Sequence, residues 1–131
     1  MKYKKVLVVA ASALFSVAAF VNPVAAVAAS PELDFAKSAP EGPEPGSPCI
    51  SNVRVKACFQ ADGDKIYIKD MKADGDAWYV DWAIRGGRWG QCATKLGAGK
   101  WGVCDKDFPE RQLIDFTIYA SGDADVMTSH T

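Results

Sequence analysis

Few side chains in this 131-residue sequence are equipped for acid–base or covalent chemistry. Its one histidine, His130, is the last residue but one. A hydrolytic triad needs a base held against a nucleophile and oriented by a third group, and a chain end is a poor place to hold one. No Gly-x-Ser-x-Gly elbow and no phosphate-cradling Gly-x-x-x-x-Gly-Lys-Ser/Thr loop occurs. Carboxylates remain. Asp62, Asp64, Asp74 and Asp76 stand in two Asp-Gly-Asp segments. A glycosidase needs two carboxylates across a cleft, and an EF-hand needs three spaced ligands and a distal Glu. Neither segment continues that way, so turn geometry is their expected role. Asp105 and Asp107 flank Lys106 in what reads as a solvated loop. The expectation is a protein that is not an enzyme and holds no cofactor or metal.

The four cysteines carry a different chemistry. Eight residues separate Cys49 from Cys58 and eleven separate Cys92 from Cys104, with no Cys-x-x-Cys pair. Zinc sites and thioredoxin-like redox centres favour close pairs, whereas a short exported chain uses cysteines as staples. Four cysteines allow three pairings. The expected one is Cys49–Cys58 with Cys92–Cys104, because each pair flanks or joins neighbouring strands. In the chain-entropy view each loop closure stabilises by about 3 kcal/mol.

Aromatic and cationic side chains could still make a binding surface. Trp78 and Trp82 alternate with Val80 and Ile84, which marks them as core. Trp89 and Trp101 adjoin glycine turns, and Arg85 and Arg88 flank Gly86-Gly87. Exposed rings can stack on sugars or anchor a protein contact. Arg85, Arg88, Trp89 and Trp101 are therefore the candidate ligand-binding residues.

The elements that position these residues follow from a period of two. Val53, Val55, Ala57 and Phe59 alternate with polar neighbours; Ala61-Asp62-Gly63-Asp64 makes a hairpin turn; Ile66 and Ile68 continue in a second strand. Trp78 to Ile84 is the clearest strand. Trp89 to Leu96, Trp101 to Cys104 and Ile114 to Ala120 supply three more. No helical period appears after the first thirty residues. The expected fold is all-β: a small antiparallel sandwich or barrel of about six short strands, stapled by disulfides.

The ends read differently. Lys2, Lys4 and Lys5 precede an apolar run from Val6 to Phe20, and small residues follow to Ala28, as in a secretory signal peptide over 1–28. Residues 29–48 hold five of the seven prolines and read as a disordered linker. The β-domain is expected over 49–120 and a flexible tail over 121–131. Without the signal segment, the fifteen basic residues fall to twelve against sixteen acidic ones, a net charge near −4. That balance argues against nucleic-acid binding and gives no reason to invoke anionic membranes. A secreted, extracellular monomer is expected.

Ala57-Cys58-Phe59, Gly63-Asp64-Lys65-Ile66, Lys69-Asp70, Asp74-Gly75, Trp82, the run Gly87 to Cys92, and Gly99-Lys100-Trp101 up to Cys104 form a pattern. It resembles that of small secreted four-cysteine actinobacterial proteins, a group of uncharacterised function. The resemblance covers roughly Cys49 to Ile118. It implies export and a compact β-domain, and implies no activity. Two roles suit these observations: a non-catalytic domain binding an extracellular protein or glycan, or an inhibitor that presents the Arg85–Arg88 turn to a foreign protein such as a hydrolase.

Overall fold

Apolar residues at every second position cannot share a helix face, but they can share one face of a pleated strand. The computed structural model describes residues 30–131, and there the alternating stretches are strands. The expected signal peptide over 1–28 lies outside the described residues. Ten strands and no helix occur among the described residues: β1 (Glu32–Phe35), β2 (Lys37–Ser38), β3 (Cys49–Ser51), β4 (Val55–Gln60), β5 (Lys65–Asp70), β6 (Trp78–Ile84), β7 (Trp89–Thr94), β8 (Trp101–Asp105), β9 (Leu113–Ala120) and β10 (Asp123–His130). Sheet A runs β1-β7-β6-β9-β10 and sheet B runs β2-β8-β5-β4-β3. All pairings are antiparallel except β1 with β7.

The two sheets enclose one core. Sheet B contributes Val55, Ala57, Phe59, Ile66 and Ile68; sheet A contributes Val80, Trp82, Ile84, Ile114, Phe116 and Ile118. Burying each large apolar side chain stabilises by about 1.5–3 kcal/mol relative to exposure. Trp78 packs partly buried against this core. The disulfides lie on different layers. Cys92–Cys104 joins β7 to β8, and so ties sheet A to sheet B through the interior. Cys49–Cys58 joins directly opposed residues of β3 and β4, with Cys58 packed on the outer side of sheet B.

Four strands exceed the six expected: β1 and β2 lie in the segment expected as linker, β10 in the expected tail, and β3 at the start of the expected domain, ahead of its first expected strand. The linker over 29–48 is not a tether. Glu32–Phe35 pairs with β7, Lys37–Ser38 pairs with β8, and Ala36, at the crossing from one sheet to the other, is buried. Two glycines inside strands make this possible. A Cβ on Gly90 would come within 2.0 Å of the Glu32 carbonyl oxygen, and one on Gly102 within 2.7 Å of the Ala36 Cβ. Pro31 stands just before β1, and the other four prolines of the segment begin at Pro40, after the pairing is complete. These four lie in the connection from β2 to β3, which are opposite edges of sheet B, so the connection must cross that sheet's outer face. It does so as a strap. Ala39 is buried with Cys58 and Tyr67 against Trp101, and Gly42 sits where a Cβ would meet the Trp101 ring at 2.8 Å.

The expected tail over 121–131 is also a strand. Ser121 and Gly122 adopt positive φ and reverse the chain, so that β10 pairs with β9 along its whole length. Met127 then reaches the core. The domain therefore extends well beyond the expected 49–120.

Gly90→Ala should displace β1 and cost about 1–3 kcal/mol, the usual range for a forced overlap. Urea unfolding would register this as a lower midpoint; an unchanged midpoint would mean that β1 does not lie where described.

Candidate binding face

The four candidate residues do not form one surface. The Gly86-Gly87 turn is tight: the Gly87 N–H donates to the Ile84 carbonyl at 3.0 Å, and the Ile84 N–H donates to the Arg88 carbonyl at 2.8 Å. Its two arginines leave on different sides. Arg85 donates from Nε and Nη2 to the Asp115 carboxylate, each at 3.0 Å. Arg88 donates from Nε and Nη2 to Glu32 at 2.9 and 2.8 Å, donates from Nη1 to the Asp107 carbonyl, and lies over the Phe108 ring. Trp101 is on the other sheet, beneath the strap, edge-on to Tyr67 and with Lys69 Nζ 4.5 Å from its ring centroid. Only Trp89 and Arg85 share a face. Trp101 contributes to packing, not to a platform with Trp89, because the sheet pairing separates them.

Arg88 belongs to an ionic plug at one end of the core. Lys106, whose side chain is only 8% exposed, donates to Glu32 at 3.3 Å and to Asp34 at 2.6 Å. Its Nζ lies 5.0 Å from the Trp82 ring centroid. An ammonium removed from water needs such partners. Asp64, expected to serve only its turn, also holds this end: its carboxylate accepts from the Phe108 N–H at 2.8 Å. The Arg88 hydrogen bonds hold the Glu32 carboxyl below its ordinary value; burial opposes this and the Lys106 charge reinforces it.

The outer face of sheet A is open, and its residues fall into transverse rows. In the first, Trp89 stands opposite Ala83, Ala83 opposite Asp115, and Asp115 opposite Thr128. In the second, Leu33, Gln91, Asp81, Thr117 and Val126 follow one another across all five strands. Phe35, Ala93 and Tyr79 continue a third, with Tyr79 against the Tyr119 ring. Seven large apolar side chains are exposed among the described residues, and five of them, Leu33, Phe35, Trp89, Tyr119 and Val126, are here, between 41% and 67% exposed. Ala83 forms the floor of a groove of about 260 Å³, with Trp89 on one wall and Asp115 and Thr117 on the other, and Gln91 and Asp81 alongside.

Charge on this face is largely paired. Hydrogen bonds from Arg85 and then from Thr128 hold the Asp115 carboxyl below the usual range, and Asp115 in turn raises Arg85. Burial pushes the Tyr119 phenol up, reinforced by the Asp81 charge, so it stays neutral beside the carboxylate that accepts its hydrogen bond. Asp81 Oδ1 is buried with no hydrogen-bond partner among the described residues. Among the same residues no group of three His, Cys, Asp or Glu is placed to hold a metal ion.

Leu33, Phe35 and Val126 were not expected at a site, since they lie in the segments read as linker and tail. Their alternation with Glu32, Asp34 and Asp125 was the available signal. No family model, curated protein or solved structure matches this chain.

A group whose folded pKa is lowered contributes stability that is complete above its ordinary value and disappears as pH falls through the folded value. For Glu32 that ordinary value is 4.5. Melting temperature should therefore drop on acidification from about pH 5 to 3, and Glu32→Gln should make the drop shallower. Parallel pH curves for the two proteins would show that the Glu32–Arg88 contact is not maintained in solution.

Proposed function

We propose that this protein is a secreted, non-catalytic small β-domain that binds an extracellular ligand, protein or glycan, on the outer face of sheet A. The observation that carries the reading is an asymmetry between the two outer faces. The chain's own strap roofs part of sheet B, burying Ala39 and packing Trp101. Sheet A has no such cover among the described residues and gathers five exposed large apolar side chains around paired charges. Contiguous exposed apolar area of that kind marks interaction sites. Two disulfides are compatible with an extracellular protein and favour an oxidising compartment. The sequence resemblance to small secreted four-cysteine proteins supports the same address. The non-catalytic part rests on the placement of His130, exposed near the end of the edge strand β10 and opposite Leu113.

The test is a variant with Leu33→Ser, Trp89→Ala and Val126→Ser, all at exposed positions. Glycan arrays and pull-downs with the secreted wild-type protein identify what it retains. The variant should melt within a few degrees of wild type and lose that ligand by tenfold or more in affinity, about 1.4 kcal/mol or more. Equal retention by the variant would place binding elsewhere.

A further inference from the structure

From the groove over Ala83 we infer the class of ligand: a neutral pyranose ring, presented by a glycan and stacked on Trp89. The inference rests on the reading that the outer face of sheet A is the binding face. Four features converge on it. The groove, at about 260 Å³, is smaller than the sites that enclose drug-sized molecules, and suits one ring. Its floor is the methyl of Ala83, and one wall is the indole of Trp89, directly opposite in the β6–β7 register. The other wall is Asp115, one strand further on, so the walls stand roughly 10 Å apart at the usual strand spacing. A pyranose has an apolar face of C–H groups that matches a flat aromatic surface, and an edge of hydroxyls.

The rim answers that edge. Gln91 offers an amide with donors and an acceptor, Thr117 a hydroxyl, and Asp115 and Asp81 carboxylate acceptors, all lining the groove. Charge decides against anionic ligands. The Arg85 guanidinium is engaged by Asp115 at 3.0 Å through two hydrogen bonds, so the described residues offer no free cation to a polyanion in this groove. A protein partner would seat a large anchor in a deep, desolvated pocket; this groove is open, and its floor lies one methyl above the sheet.

The experiment is isothermal titration of the secreted protein with cellohexaose, xylohexaose and chitohexaose, with a heparin hexasaccharide as the charged comparison. Ala83→Gln fills the floor at an exposed strand position, Trp89→Ala removes the wall, and Trp89→Phe keeps a ring; near-ultraviolet circular dichroism checks each fold. The expected result is binding of at least one neutral hexasaccharide. It should weaken tenfold or more in Ala83→Gln and Trp89→Ala, and by less than threefold in Trp89→Phe. Absence of binding by all three neutral probes overturns the inference, as does preference for heparin or binding that ignores both Ala83→Gln and Trp89→Ala. A protein ligand lost in the triple variant of the preceding section would then leave the binding face standing without the sugar.

Discussion

Two backbone approaches too close for any side chain hold the architecture together. At Gly90 the Glu32 backbone occupies the space of a Cβ, and at Gly102 the Ala36 methyl nearly does. Through these two contacts one short segment joins both sheets, β1 in parallel with β7 and β2 antiparallel with β8. The Ala36 N–H then donates to the Ala93 carbonyl in sheet A at 2.7 Å, and the Ala39 N–H donates to the Trp101 carbonyl in sheet B at 3.0 Å. From there the chain has one route to β3, across the outer face of sheet B. The roof over Trp101 and the open face around Trp89 both follow from that path.

The energetic terms that support this arrangement are unequal. Core burial and the Cys92–Cys104 bond, which links the sheets, carry the larger share; a disulfide of this kind is worth about 2–4 kcal/mol. The half-exposed Arg88–Glu32 pair is worth about 0–1 kcal/mol, and the solvent-screened Arg85–Asp115 pair contributes little to stability. Their role is geometric. Arg88, Glu32, Lys106 and Asp34 fix where β1 enters the sheet, and Arg85 with Asp115 sets the charge of the groove wall. Lys106 differs from the rest, because its ammonium is withdrawn from water and depends on both carboxylates.

Strands whose alternation is buried on one side were legible in the sequence: β4, β5, β6 and β9 coincide with the expected runs, and Trp82 is core as its spacing indicated. Both expected disulfide pairings are present: Cys49–Cys58 joins adjacent strands of one sheet, and Cys92–Cys104 joins strands consecutive in the chain that lie in opposite sheets. β1 escaped notice because its pattern is inverted: Leu33 and Phe35 face out, while Glu32 and Asp34 meet Lys106 at the core's end. Nearby prolines then drew the whole segment into one reading. β10 offers almost no apolar signal beyond Val126 and Met127, and its order comes from β9. The site was half legible. Hairpin register alone places Trp89 beside Ala83, but bringing Leu33, Asp115 and Val126 onto the same face needs pairings between distant parts of the chain.

A face left open by the fold, with an ion pair and exposed rings, is the feature on which the proposed binding role rests. Its existence depends on the first described strands staying docked and the strap staying on the opposite side. Amide hydrogen exchange at Ala36 and Ala39 tests this most directly, since those two N–H groups donate to opposite sheets. The account predicts protection at both positions comparable to that of β5 and β6. Exchange at both positions as fast as in an unstructured peptide would contradict it.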